Sequence, residues 1–217
     1  MRLLEAIEHG NYYHIFNRGI NGEDLFRTND NYTHFLQLYE KYIEEIADTF
    51  AWCLMKNHFH ILVRIKEKNE IGFIPIKKNN HTTITPPSGI KTADGVSSKQ
   101  YDPSRQFSHL FNAYAQSINK EYKRSGSLFE SPFKRIHITS DNYFKKLISY
   151  IHNNPSHHGF CENSIDYPWT SYHSLLSKKP SKLKREELIH WFDNKENFIS
   201  YHQQKQDYIN IENLIIE

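Results

Sequence analysis

Apolar and polar positions alternate along Tyr12-Tyr13-His14-Ile15-Phe16-Asn17-Arg18. This pattern predicts a strand with Tyr13, Ile15 and Asn17 on one face and His14, Phe16 and Arg18 on the other. Gly19 to Gly22 reads as a turn. The period then becomes helical over about 30–47, where Phe35, Leu38, Tyr42 and Ile46 share a side and Asp30 stands as N-cap. Two further strands, 50–56 and 58–65, read as a hairpin broken near Lys56-Asn57. Side chains alternate in a strand, so His58 and His60 emerge together while Phe59, Ile61 and Val63 turn into a core.

Between 66 and 105 the pattern is lost. Pro75, Pro86-Pro87, Gly89, Gly95, Ser97-Ser98 and Pro103 punctuate a polar stretch, read as an insertion or flexible linker without regular structure. Helical spacing returns over 105–123 with Phe107, Leu110, Phe111, Tyr114 and Ile118 on the buried side, and Lys120, Lys123 and Arg124 crowd its end. A strand follows over 133–139. Ser140 or Asp141 caps a third helix, which Pro155 is expected to end near 153. On that helix Phe144, Ile148 and Ile151 form an apolar stripe, with Tyr143, Leu147, Tyr150 and Asn154 on the stripe beside it. Tyr167-Pro168-Trp169 reads as a packed loop, and 183–192 and 194–206 as helical. The order strand, helix, strand, strand, helix, strand, helix predicts a ferredoxin-like α+β fold. The expectation is an antiparallel sheet with helices on one face, spanning 1–175, and a helical C-terminal extension, 176–217.

Length and charge narrow this little. A chain of 217 residues can bury a substantial core, and 14% aromatic content makes that core rich in Tyr and Phe. The formal net charge is only +2, so any affinity for nucleic acid must come from local patches. Cys53 and Cys161 form neither a framework nor a CxxC pair, which suits a reducing compartment. With no secretory h-region and no membrane-length apolar run, the expectation is a soluble, cytoplasmic protein.

Two imidazoles on one strand face can grip a divalent cation, or be ordinary sheet polarity. Tyr150 taken alone is one of 14 tyrosines and reads as a packing residue. A phenol is a poor nucleophile near neutrality because its pKa is about 10, and a nearby metal ion can help by polarising a phosphodiester.

The His58-Phe59-His60 strand resembles the histidine-hydrophobic-histidine signature of HUH endonucleases. Tyr150-Ile151-His152-Asn153-Asn154-Pro155 resembles the tyrosine helix of the single-tyrosine transposases in that superfamily, and the REP-associated tyrosine transposases are the most similar branch. Tyr13-His14-Ile15-Phe16-Asn17-Arg18-Gly19, Leu25-Phe26, Tyr32-Thr33-His34-Phe35-Leu36, Gly126-Ser127-Leu128-Phe129-Glu130 and Phe133-Lys134 are also similar to that family. The likeness runs from about 11 to 175, interrupted by the polar insertion.

This resemblance implies a metal-dependent endonuclease and strand transferase acting on single-stranded DNA at or near hairpins. Tyr150 would be the nucleophile, forming a 5′-phosphotyrosine bond. His58 and His60 would bind the metal, Mg²⁺ or Mn²⁺, with Asn154 as third ligand where insertion-sequence relatives commonly carry Gln. An imidazole-plus-oxygen set suits these ions less obviously than Zn²⁺. Arg18, Lys56, Lys120, Lys123, Arg124, Lys134 and Arg135 are the candidate phosphate contacts, holding backbone charge without reading sequence. The protein would act as a monomer or homodimer. Tyr143 is the rival nucleophile on the same stripe. The competing reading is a catalytically inactive nucleic-acid-binding module on the same fold. A relaxase or replication initiator is disfavoured, because neither a third clustered histidine nor a tyrosine pair on the helix is visible.

Overall fold

The structure, a computed structural model, describes residues 6–75, 98–204, 208, 209 and 211. Its elements in chain order are β1 (Tyr12–Arg18), α1 (Asn29–Ile43), β2 (Ala47–Met55), β3 (His58–Ile65), β4 (Phe73–Pro75), β5 (Ser98–Gln100), α2 (Pro103–Glu121), β6 (Lys134–Ile138), α3 (Asp141–His157), α4 (Tyr172–Leu176), α5 (Arg185–His190) and α6 (Lys195–Gln203). Four strands form one antiparallel sheet in the order β2-β3-β1-β6. This is the expected ferredoxin-like α+β arrangement.

The helices do not all lie on one face as expected. Phe35 and Ile43 of α1 and Phe107, Leu110, Phe111, Tyr114 and Ile118 of α2 pack on Tyr13, Ile15, Phe59, Ile61, Val63 and Ile65. On the opposite face, Phe144, Leu147, Ile148 and Ile151 of α3 pack with Phe50, Cys53, Met55 and Leu62. Leu175, Leu188, Phe192 and Phe198 from beyond 174 close that second core. The reason lies in the strands: most positions of β1, β2 and β3 are buried on both faces, so both faces need cover.

Local chemistry sets the helix ends. Thr28, not Asp30, is the N-cap of α1: its hydroxyl accepts from the Asn31 N–H, and the Asn31 amide oxygen accepts from the Thr28 N–H. The helix stops at Ile43, and Ala47 joins β2 instead. Ser140 caps α3. Pro155 does not end that helix, which winds on to His157. The proline removes the hydrogen bond its nitrogen would have given to the Ile151 carbonyl and its ring crowds that carbonyl, and the helix ends two residues later. The turn is held by hydroxyls, with Ser156 Oγ (3.1 Å) and Ser164 Oγ (3.0 Å) donating to the Asn153 carbonyl. Asn154 is thereby kept on a helical turn, one turn after Tyr150.

The ends of the polar insertion are ordered after all. β4 pairs antiparallel with β5, Phe73 facing Gln100 and Pro75 facing Ser98. Residues 76–97 of the insertion lie outside the described residues, as does the end of the helical stretch expected over 194–206. No helix among the described residues is long and apolar enough to cross a membrane.

Beneath α3 runs a buried polar seam. His152 Nδ1 and His202 Nε2 lie 2.9 Å apart, His152 Nε2 meets Ser171 Oγ at 2.8 Å, and His202 Nδ1 donates to the Phe198 carbonyl at 2.7 Å. Each ring nitrogen of the two histidines is therefore engaged, and α6 is stitched to α3.

Candidate functional site

Antiparallel pairing of β1 with β3 sets Phe16 opposite His60 and Arg18 opposite His58. His58 and His60 share the α3 face, their ring centroids 5.4 Å apart. His60 is buried and its Nδ1 sits 2.8 Å from His14 Nε2. His58 Nδ1 meets Asn57 Oδ1 at 2.7 Å, and His58 Nε2 meets Asn154 Oδ1 at 3.2 Å. The Asn154 side chain is fully buried, and its Nδ2 has no hydrogen-bond partner.

Tyr150 packs edge-on against His60 with centroids 5.4 Å apart, and edge-on against Tyr208 at the same separation. Phe16, Asn17, Arg18, Asn57, His58, His60, Glu130, Lys134, Tyr150, His157 and His158 line a cavity of about 580 Å³. Tyr143 does not line it; its hydroxyl is buried without a partner, and burial together with the nearby Tyr150 pushes it up to about 12. The two stripe tyrosines thus sit in different surroundings.

Only two of the seven candidate phosphate contacts reach this cavity. Arg18 and Lys134 line it, both facing Glu130, at 2.5 Å and 3.9 Å. Arg135 lines the adjoining groove, where it lies 5.2 Å from the Phe133 ring centre. Lys56 pairs with Asp24 at 3.1 Å, and Arg124 is held by Glu23 and by Asn119 at 2.6 Å. Lys120 and Lys123 are exposed at the end of α2 and line neither space. Sequence reading missed His14, Asn57, Asn17 and Glu130. All four had a signal: His14 and Asn17 stand in the opening block, Asn57 directly precedes His58, and Glu130 closes the Gly126-Ser127-Leu128-Phe129-Glu130 block.

Burial holds these imidazoles neutral. His58 is pushed down to about 4 by burial, opposed by its contact with Asn154; His14 falls to about 3 by burial alone. His60 is driven well below the usual histidine range, first by burial and then by His14, His58 and His158. Burial also lowers His202 to about 4. The unfolded chain would protonate these rings near pH 6.5 while the fold excludes the protons. Their stability contribution is thus present above about pH 6.5 and is lost as pH falls towards 4. Urea unfolding should show stability falling from pH 7 to pH 5, with each buried histidine contributing up to about 1.4 kcal/mol per pH unit. A flat profile across that interval would mean that the rings are solvated.

Neutral His58 poses a conflict that bears on metal binding. Both its nitrogens face amide oxygens, yet a neutral ring carries one proton. With Nδ1–H donating to Asn57, the Nε2 lone pair faces the Asn154 oxygen. His58 and Asn154, 3.2 Å apart at these atoms, would together hold a small divalent cation, whose charge would remove the repulsion. Turning either the Asn57 or the Asn154 amide over would resolve it without a cation. Among the described residues, no three His, Cys, Asp or Glu side chains cluster to hold a metal, so a site here needs the amide oxygen.

No family model matches the chain, and no curated protein matches it. Among solved structures it is similar to a REP-associated tyrosine transposase bound to a REP hairpin, at 13% identity and a TM-score of 0.56, over 83% of this chain and 88% of that one. At that identity the likeness shows a shared fold: a four-stranded antiparallel sheet with the helices that flank it.

Proposed function

We propose that the chain is a metal-dependent strand transferase acting on hairpin-forming single-stranded DNA, with Tyr150 as nucleophile. The observation that carries this reading is the joint lining of one cavity by Tyr150, His58 and His60, with Asn154 touching His58. The fold neighbour, a tyrosine transposase bound to a REP hairpin, supports it. The Tyr150 oxygen attacks a DNA phosphorus, the P–O3′ bond breaks, and O3′ leaves with the electron pair and takes up a proton. The phenolic proton is lost to solvent. A 5′-phosphotyrosine and a free 3′-hydroxyl result, and attack by a 3′-hydroxyl on the linkage rejoins strands without ATP. His58, His60 and Asn154 would hold Mg²⁺ or Mn²⁺, which when bound supplies charge stabilisation at the phosphate. Arg18 and Lys134 neutralise backbone charge at the cavity wall.

The test is a labelled single-stranded hairpin oligonucleotide incubated with the protein and Mn²⁺, followed by a denaturing gel. A denaturation-resistant adduct is expected. Chelation should abolish it, and His60→Ala should slow its formation by about a hundredfold or more, beyond the loss typical for a supporting residue. Adduct formation indifferent to chelator would remove the metal from the reaction. The second reading, a binding module without catalysis, is favoured by one observation: Tyr150 is only 3% exposed and covered on one side by Tyr208. Tight hairpin binding with no adduct would select it.

A further inference from the structure

His14 is fully buried, and no step in the proposed chemistry uses it. Its ring lies beside Phe16 and His60, with centroids 4.7 Å and 5.0 Å away. Its one hydrogen bond joins Nε2 to His60 Nδ1 at 2.8 Å, and its Nδ1 has no partner. Two neutral imidazoles sharing one hydrogen bond can arrange their two protons in two ways.

In the first arrangement His14 donates from Nε2, leaving a bare lone pair on its own Nδ1. His60 then carries its proton on Nε2, the nitrogen not tied to His14. In the second, His60 donates from Nδ1 to His14, and the Nε2 of His60 becomes a free lone pair. That polarity obliges His14 to carry its proton on the buried, unpartnered Nδ1. An orphaned buried N–H costs more than an orphaned lone pair, so the first arrangement is the resting one.

Resting on the cation reading given above, we propose that His14 is a positioning residue that accepts the hydrogen bond of the metal-competent tautomer of His60. A cation ligated at His60 Nε2 requires the second arrangement, and His14 supplies the acceptor that makes it attainable. The change is balanced: each ring keeps one proton, and only the polarity of the shared hydrogen bond reverses. The partner nitrogen of a metal-bound histidine normally donates to a fixed acceptor, and loss of such acceptors weakens binding by about 10–100-fold.

The experiment measures Mn²⁺ affinity by electron paramagnetic resonance on the full chain, together with histidine ¹⁵N chemical shifts with and without saturating Mg²⁺. Wild-type His60 should carry its proton on Nε2 without metal and on Nδ1 with it. His14→Leu, which fills the space without an acceptor, should bind Mn²⁺ at least about tenfold more weakly, and His14→Gln should recover affinity to within about threefold. Equal affinity in wild type and His14→Leu would overturn the role of His14 alone. An unchanged His60 tautomer on Mg²⁺ binding would overturn it even if His14→Leu failed to fold. Absence of any Mn²⁺ binding by wild type would instead bring down the cation reading of the cavity, and this proposal with it.

Discussion

Tyr150→Phe removes the covalent protein–DNA adduct, with loss of at least about a thousandfold in its rate of formation. The substitution deletes one oxygen and keeps the ring that packs on His60 and Tyr208, so the cavity wall survives. Binding of the hairpin, measured by anisotropy, should stay within about threefold. The matched control is Tyr143→Phe, on the same helical stripe. Its hydroxyl is buried without a partner and does not line the cavity, so its removal should leave the adduct within about threefold. Removing an unsatisfied buried hydroxyl should not destabilise the fold. An adduct that persists in Tyr150→Phe and disappears in Tyr143→Phe would transfer the nucleophilic role.

The largest effect on stability is expected at Phe198, in the C-terminal part of the chain. Phe198 is fully buried, with His202 at 4.2 Å, Phe192 at 5.2 Å, Tyr172 at 5.5 Å and His152 at 6.0 Å between ring centroids. It shares one core with Phe144, Leu147, Ile148 and Ile151 of α3. Phe198→Ala should cost about 3–5 kcal/mol, a large part of a typical domain's total of about 5–15 kcal/mol. Urea unfolding should show a single transition at a lower midpoint. Two separated transitions, the sheet holding while the C-terminal helices melt, would show that the extension is an independent appendage.

Much of the fold was legible in the chain because strand and helix periods were clean. β1 matches the predicted 12–18, β3 matches 58–65, and the five apolar positions chosen for α2 are all buried. His58 and His60 share a face for the reason the alternation gives. What was not legible depended on contacts distant in sequence. That α3 covers the face opposite α1 and α2 follows from which side of the sheet is left bare, which no local period records. The turn through Pro155 is secured by Ser164, nine residues further on, while the local rule pointed to a helix end. That His14 meets His60 could not be read, because the two are 46 residues apart. The charged candidates fared differently: lysine and arginine positions can be read from sequence, but whether Glu23, Asp24 or Glu130 engages them cannot.

The small β4–β5 ribbon has a consequence for how the two halves of the site find each other. His58 and Asn154 are 96 positions apart, and closing a loop becomes more demanding as its contour grows, by about 0.6 kcal/mol for each doubling. By pairing Phe73 with Gln100 and Pro75 with Ser98, the ribbon short-circuits the chain between them. Once those pairs form, the path from strand to tyrosine helix is shorter by the whole span from Pro75 to Ser98. The cost of closing that span falls at the ribbon, and the geometry around His58 does not bear it.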